Sequence, residues 1–126
     1  MGTDKTSPLD TLTETVIGSA FTVSNTLGHG FLENIYKNAL TEELEVLGLL
    51  VAKEKPYPVL YRGKKMGLYV ADMVVEDRVI VELKAVDDLT QAHRAQLLNY
   101  LKASNIPVGL LFNFGRPKIQ IKRVIL

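Results

Sequence analysis

The stretch VADMVVEDRVIVELKAV, residues 70–86, decides the fold. Two apolar runs flank the polar residues 76–78, a pattern that indicates two β-strands joined by a tight turn. We expect the strands to cover about residues 67–75 and 79–86. Both faces of each strand are mostly apolar, so we expect this hairpin to lie in a sheet that is covered on both sides.

Three charged side chains, Asp72, Glu82 and Lys84, stand inside this apolar hairpin. On the alternating pattern of a strand, Asp72 shares a face with Val70 and Val74, while Glu82 and Lys84 share one face of the second strand. A surface hairpin with a lysine near two acids would be an ordinary, weakly stabilising feature. Burying unpaired charge is costly, however, and three such charges in an apolar setting favour a metal-binding or catalytic site.

The register of the hairpin can be predicted from the length of its turn. If Val75 pairs with Val79 across three residues, Asp72 lies directly opposite Glu82, with Cβ atoms about 5 Å apart. Two carboxylates at that distance repel one another, and the repulsion raises the pKa of one of them. A bound divalent cation would remove this repulsion.

A helix over about residues 88–104, capped by Asp88, is predicted to follow the hairpin. His93, Gln96 and Tyr100 project from its apolar arc at spacings of three and four residues. One interpretation is a buried histidine and glutamine with satisfied hydrogen bonds. The other is a polar stripe that lies over the carboxylate face of the sheet.

The rest of the chain adds two earlier helices and further strands. Ser7 and Pro8 start a helix that ends near Leu27, and a second helix spans about residues 31–47 with an apolar face; the residues of that face are Leu32, Ile35, Tyr36, Ala39, Leu40 and Leu47. Further strands are predicted at about residues 49–57, 59–62, 108–114 and 118–126. The order of helices and strands indicates a mixed α/β domain.

Composition narrows the function only a little. The chain has 126 residues, no cysteine and a net charge of +1, so we expect one domain over residues 1–126, with residues 1–6 as a frayed tail, in a reducing, cytoplasmic setting. No apolar run is long enough for a membrane span. Apolar residues make up 47% of the chain, which favours either a doubly covered sheet or self-association, and we expect a homo-oligomer.

Basic residues form two groups that could follow a nucleic-acid backbone. The first group is Lys53, Lys55, Arg62, Lys64 and Lys65. The second group is Arg116, Lys118, Lys122 and Arg123. Solvated strand edges that discourage aggregation are an equally good explanation for each group, and the near-neutral net charge does not decide between them.

Four sequence blocks carry a resemblance to a known family. GFLENIY (30–36) contains G-x-x-E-x-x-Y as Gly30, Glu33 and Tyr36, and ADMVVEDRVIVELKAV, HRAQLLNYL and GLLFNFG follow it in order. With these blocks the chain resembles the GxxExxY protein family, a compact branch of the PD-(D/E)xK nuclease-like superfamily, over about residues 12–124. The resemblance implies a restriction-endonuclease-like αβββαβ core, with a mixed central sheet flanked by helices.

The resemblance also implies roles for individual residues. Asp72, Glu82 and Lys84 would occupy the D…E-x-K positions, and Gln96, His93 and Tyr100 would be the polar residues of the following helix. Mg²⁺, or Mn²⁺, would be held by oxygens from Asp72, Glu82, the Leu83 carbonyl and Glu33. The substrate would contact Tyr36 and the first basic group. From periodicity alone the argument for Glu33 is weak, because Glu43 falls in the same apolar arc of its helix.

Three positions depart from the pattern of that family. Ser24 stands where many members have His, His29 where they have Pro, and Val70 where they have a basic residue. The departures leave the triad intact but put contacts with a phosphate substrate in doubt. Two hypotheses follow: a Mg²⁺-dependent nuclease or phosphodiesterase, and a non-catalytic binding or self-assembling module that retains the fold.

Overall fold

The computed structural model describes residues 7–126, so the tail expected for residues 1–6 lies outside the described residues. Three helices and five strands follow one another as α1 (Pro8–Leu27), α2 (Glu33–Val46), β1 (Val51–Tyr61), β2 (Lys64–Val75), β3 (Val79–Lys84), α3 (Gln91–Ser104), β4 (Val108–Asn113) and β5 (Gln120–Ile125). The segment predicted as two short extended pieces is one long strand, β1.

The five strands form one sheet in the order β1-β2-β3-β4-β5. Neighbouring strands are antiparallel except β3 and β4, which are parallel and are connected through α3. α1 and α2 pack on one face with Met73, Val75 and Val81, and α3 packs on the other face with Val74 and Ile80. The predicted fold class, a mixed sheet flanked by helices in the nuclease-like arrangement, is confirmed.

The first helix begins where the sequence predicts. The Ser7 side chain accepts a hydrogen bond of 3.0 Å from the backbone N–H of Asp10, and Pro8 occupies the first helical position. Val16 and Ala20 are fully buried against α2 and the sheet. No helix within residues 7–126 combines the length and the hydropathy needed to cross a bilayer.

The connection between α1 and α2 is held by one tyrosine. Gly30 has a φ of +110°, which a residue with a side chain rarely adopts. The hydroxyl of Tyr36 donates to the Gly28 carbonyl at 2.7 Å and accepts from the Phe31 N–H at 3.2 Å. Its ring stacks on Phe114 at 4.6 Å between centroids. Tyr36 therefore fixes the loop from which α2 starts.

The apolar face predicted for α2 is partly wrong. Tyr36 and Leu40 are fully buried as expected, but Leu32, Ile35 and Leu47 are 80%, 43% and 55% exposed. α2 starts at Glu33, so Leu32 is the residue that caps its beginning and points away from the core. The helix ends at Val46, so Leu47 is its C-cap residue, whereas Leu44 in the last turn is fully buried.

Residues of β2 that should share one face of the strand point to opposite sides of the sheet before and after Asp72. Lys53 pairs with Met73 and Lys55 pairs with Ala71, so Glu54 stands opposite Asp72. Glu54 has a φ of +54°, which is unfavourable for a residue with a side chain. Met73 packs with α1 and α2, whereas Ala71 packs with α3. The predicted simple alternation through β2 is therefore wrong, because the hairpin twists sharply at Asp72.

The predicted register between β2 and β3 is confirmed. Val75 pairs with Val79, and the ladder continues to Met73 and Val81. One step further, at Asp72, β2 leaves β3 and continues as a long hairpin with β1. The two strands therefore form a fork, and the charged residues of the hairpin lie where its arms separate.

We predict that Tyr36→Phe lowers the free energy of unfolding by about 1–3 kcal/mol, because the buried Tyr36 hydroxyl makes two hydrogen bonds, each worth about 0.5–1.5 kcal/mol, and both are lost. Chemical denaturation with circular dichroism measures this loss. Tyr61→Phe is the matched control, since Tyr61 is 66% exposed and should change stability by less than about 0.5 kcal/mol. Equal stabilities for the two variants would show that the Tyr36 hydroxyl does not fix the loop.

Candidate active site

The carboxylates of Asp72 and Glu82 cross between the two arms of the fork. Glu82 Oε2 accepts the backbone N–H of Asp72 at 2.8 Å, and Asp72 Oδ2 accepts the backbone N–H of Leu83 at 3.0 Å. Each side chain thus takes the place of a ladder bond that the separating strands can no longer make. The pairing fixes both carboxylates relative to the backbone, and the structure brings them together as the sequence predicts.

Glu82 is nearly buried, with 7% of its surface exposed, and its environment changes its acidity. Burial, followed by repulsion from Asp72, raises the pKa of Glu82 to about 7. The hydrogen bonds from the Asp72 N–H and the Tyr69 hydroxyl oppose this rise, as does attraction to Lys84. The burial of Glu82 therefore disfavours its charged form, and the neighbouring Asp72 adds to that effect.

A pair of stacked tyrosines covers Glu82 on the α3 side. The Tyr69 hydroxyl donates to Glu82 Oε2 at 2.9 Å, and the Tyr69 ring stacks on Tyr100 with centroids 3.5 Å apart. Tyr100 lies next to the residue that binds Glu82, and burial, then the Glu82 charge, raises the pKa of Tyr100. Tyr100 therefore joins the site as predicted, while Tyr69 was not expected because it reads as an ordinary strand residue.

Glu33 reaches the site from the opposite face of the sheet. It is the first residue of α2 and remains exposed to solvent. Partial burial of its carboxyl group, then repulsion from Asp72, raises its pKa, while Lys84 and Lys37 act in the other direction. Glu33 therefore lies close enough to Asp72 and Lys84 for their charges to affect it.

Lys37 is a member of this cluster that the sequence did not single out. It lies one turn after Glu33 on α2, and its ammonium group pairs with Glu54 on β1. Burial disfavours its charge, but the Glu54 bond and attraction to Asp72 and Glu33 outweigh burial and raise the pKa of Lys37. The spacing of four residues from Glu33 was the signal that could have identified it.

Two residues predicted on α3 lie elsewhere. His93 caps its own helix: its Nδ1 accepts the Thr90 N–H at 3.0 Å, and its N–H donates to the Thr90 hydroxyl at 3.3 Å. Gln96 is exposed. Within residues 7–126 neither side chain hydrogen-bonds to the carboxylates. The predicted Asp88 cap is also wrong, because Thr90 caps the helix. Leu97 and Leu101 are the buried residues of α3, and Gln96 points about 120° away from the face that they define.

Asn113, which the sequence analysis did not single out, fastens the segment that follows Lys84. Its side chain accepts the Val86 N–H at 3.0 Å and donates to the Val86 carbonyl at 2.9 Å. It also donates to Gln120 at 2.9 Å. Gly115 lies so close that an added Cβ would be 2.3 Å from the Val86 oxygen. A polar residue inside the apolar run 108–114 was the available signal.

The residues predicted to contact the substrate do not lie together in the structure. Tyr36 is fully buried and cannot touch a substrate, so that prediction is wrong; its hydroxyl is used by the loop before α2. Lys53 points toward Asn38 on α2, while Lys55 pairs with Asp77 at 2.7 Å. The remaining basic residues of the first group, Arg62, Lys64 and Lys65, are exposed around the β1–β2 turn.

The donor atoms suit a hard cation, although they do not form a finished metal site. Across residues 7–126 no three Asp, Glu or His side chains already converge in the manner of a metal centre. Among the described residues, however, Asp72 Oδ1 and Glu82 Oε1 have no hydrogen-bond partner, and Glu33 is close enough to Asp72 to be affected by its charge. Carboxylate oxygens are the ligands that Mg²⁺ and Mn²⁺ prefer.

Comparison with known proteins agrees with this geometry. The family model described as the PD-(D/E)XK nuclease superfamily matches residues 10–124. Among solved structures the chain is similar to "Crystal structure of SSO0001", with a TM-score of 0.55 and 20% identity over 90% of this chain. This chain spans 56% of that protein, and the likeness bears on the fold alone. Among curated proteins no match is found.

We predict that Mn²⁺ or Mg²⁺ stabilises the wild-type protein, by about 2.7 kcal/mol at a metal concentration of one hundred times Kd, and that Asp72→Asn removes this effect. Without metal, Asp72→Asn should unfold at the same or a higher temperature, because repulsion of Glu82 is relieved. Thermal unfolding with and without EDTA measures both.

Asp77→Asn is the control for this metal experiment, since it removes one acid from the exposed turn between β2 and β3. It should keep the metal-induced shift. A shift that survives in Asp72→Asn would place the metal elsewhere.

Proposed function

Because the chain belongs to the PD-(D/E)XK nuclease superfamily, we propose that it is a divalent-metal-dependent nuclease or nuclease-like phosphodiesterase of the GxxExxY branch. The observation that carries this proposal is the mutual bracing of Asp72 and Glu82 across the fork, with Lys84 one strand step beyond. A structural ion pair would place the lysine against the acids. Here each acid instead binds backbone and leaves one oxygen available.

In this proposal Asp72, Glu82 and Glu33 hold the cation, and the Leu83 carbonyl is a further candidate ligand. PD-(D/E)XK nucleases typically use divalent metals, and a bound Mg²⁺ or Mn²⁺ would lower the pKa of water and offset charge on a phosphate. Burial, and then repulsion from Asp72, raises the pKa of both Glu82 and Glu33, and a bound cation would offset both effects. Tyr69 keeps Glu82 oriented by donating to one of its oxygens.

Lys84 would act on the reacting groups directly. It extends from the end of β3, two residues beyond Glu82, and is half-buried. An ammonium at this position can orient an attacking water molecule and stabilise the charge that develops on a phosphodiester. The bond between phosphorus and one ester oxygen would break, and water would supply the new oxygen on phosphorus.

Nucleic acid is the proposed substrate, and the exposed basic residues of the β1–β2 hairpin are its proposed contacts. Arg62, Lys64 and Lys65 lie at the turn of a hairpin whose other end leads to Asp72. Lys53 and Lys55 lie nearer the fork, although Lys55 is already paired with Asp77. Neutralising backbone phosphates would make binding depend steeply on salt. A cytoplasmic location stays a prediction.

Self-association is the second candidate function, and an exposed apolar face of the same hairpin favours it. Met66, Leu68 and Val70 lie on one face of β2, and Leu68 and Val70 pair with Pro58 and Pro56 of β1. The three β2 side chains are 60%, 53% and 43% exposed. The prolines remove two N–H donors from the edge strand, which disfavours pairing through that edge and leaves packing through the face.

The area of this face is close to what a dimer needs. With Pro56, Pro58 and Leu60, which lie on the same face of β1, it comprises six exposed apolar side chains. At roughly 150–200 Å² for each fully exposed side chain, they offer about 500 Å² per copy. Two copies packed face to face would bury about 1,000 Å², where specific interfaces begin. We therefore propose a second copy of this chain as the occupant.

We predict that wild-type protein cleaves DNA or RNA in Mg²⁺ or Mn²⁺, and that Asp72→Ala and Lys84→Ala each lower the rate by at least about a hundredfold. Both variants should retain the circular dichroism spectrum of the wild type. Time courses with labelled single-stranded and duplex substrates measure the rates. Loss of fold in both variants would show instead that these charges are structural.

Gln96→Ala is the matched control for the cleavage assay. Gln96 was predicted as catalytic but is exposed, so the variant should keep wild-type activity. A large loss of activity in Gln96→Ala would mean that α3 contributes a group to the reaction. Cleavage that continues in Asp72→Ala would count against the whole assignment.

We predict that wild-type protein dimerises through the hairpin face and that Leu68→Lys makes it monomeric, because a buried charge replaces an apolar contact. Light scattering after size exclusion, over a range of concentrations, measures the mass. Val46→Lys is the control, since Val46 is 73% exposed at the end of α2. A monomeric wild type, or a dimer that survives Leu68→Lys, would contradict this interface.

A further inference from the structure

Lys37 is a second ammonium group beside the carboxylates, and Lys84 is the first. It projects from α2 one turn after Glu33, with only 15% of its side chain exposed. Glu54, its partner, stands opposite Asp72 in the β1–β2 ladder. Lys37 therefore approaches the mouth of the fork from the α2 side, whereas Lys84 approaches it along β3.

The partner of Lys37 is held less firmly than Lys37 itself. The Glu54 side chain is 57% exposed, and its backbone adopts a φ of +54°. An ion pair between one half-buried and one exposed group is worth little in water, since solvent competes for the exposed partner. The Glu54 carboxylate can therefore leave Lys37 at small cost, while Lys37 stays in place along the side of α2.

A phosphodiester offers Lys37 the same kind of partner as Glu54. Both are singly charged groups with oxygen acceptors, so exchanging one for the other conserves the charge next to the ammonium. Within residues 7–126, four carboxylates, namely Glu33, Glu54, Asp72 and Glu82, lie near Lys37 and Lys84. A site so rich in acids repels phosphate unless a cation is available to receive it.

We propose that Lys37 is a substrate-binding residue that receives a phosphate of the nucleic-acid backbone, and that Glu54 occupies this position until the phosphate displaces it. The inference rests on the proposed function, whose site it completes. Val70, two residues before Asp72 on β2, is apolar and therefore provides no positive charge for a phosphate next to Asp72. Lys37 supplies that charge from the neighbouring helix.

If the proposal is right, substitutions of Lys37 and of Glu54 should change the affinity for nucleic acid in opposite directions. Glu54→Gln keeps the size of the side chain but removes the competing charge, so affinity for nucleic acid should rise about threefold or more. Lys37→Met removes the receiving ammonium, so affinity should fall by a similar factor or more, and the dependence of log affinity on log salt should weaken by about one unit. A purely structural pair would lower stability in both variants and would not move affinity in opposite directions.

The test is binding of fluorescein-labelled mixed-sequence DNA and RNA oligonucleotides, measured by anisotropy in EDTA and again in Ca²⁺. The double variant Lys37→Met with Glu54→Gln should bind like Lys37→Met alone, because the gain from Glu54→Gln requires Lys37. Asp10→Asn is the charge-matched control: it removes the carboxylate that pairs with Arg123 at 2.7 Å, at the far edge of the sheet. It should change affinity less than Glu54→Gln does.

Measurements of binding and of cleavage test this inference and the proposed function separately. Opposite shifts in affinity without cleavage in Mg²⁺ would support the role of Lys37 and overturn the nuclease assignment. Cleavage by the wild type with equal affinities for all variants would keep the nuclease and overturn the role of Lys37. A fall in affinity for both single variants, or no binding by wild-type protein, would also overturn it.

Discussion

The separation of β2 from β3 at Asp72 is the constraint on which the site depends. Two strands that part leave backbone N–H groups without ladder partners, and buried N–H groups must be satisfied. Asp72 and Glu82 satisfy them with their own side chains, each across to the other arm. The carboxylates are thereby oriented by the same bonds that end the ladder. The separation of β2 from β3 therefore determines both the course of the hairpin and the position of the acidic site.

Uncharged side chains from the surrounding helices, strands and loops position the residues of the fork. Tyr36 fixes the loop that starts α2 and so positions Glu33 and Lys37, while the Tyr69–Tyr100 stack covers Glu82 from the opposite side. Asn113 binds the segment after Lys84 through the backbone N–H and the backbone carbonyl of Val86. Most of these supports are uncharged and buried, so they orient the charged groups without adding to the charge of the site.

The sequence predicted the fold class, the β2–β3 register and the meeting of Asp72 with Glu82, because apolar runs and a three-residue turn leave few alternatives. It did not predict the face change at Asp72, which depends on a positive φ at Glu54 that no local pattern announces. On α3 the predicted apolar arc was too broad: Leu97 and Leu101 are buried, Gln96 lies outside their face, and His93 belongs to the Thr90 cap. Lys37 escaped notice because its partner lies on a strand that is distant in sequence.

The order in which these contacts can form follows from the parallel pairing of β3 with β4. The β2–β3 hairpin closes over a three-residue turn, a process of microseconds, whereas joining Val79 to Val108 requires the chain to travel around all of α3. We therefore expect Asp72 and Glu82 to approach each other before Tyr100 covers them. In that order of events the two acids would meet in water, where solvent weakens their repulsion, and would be enclosed afterwards.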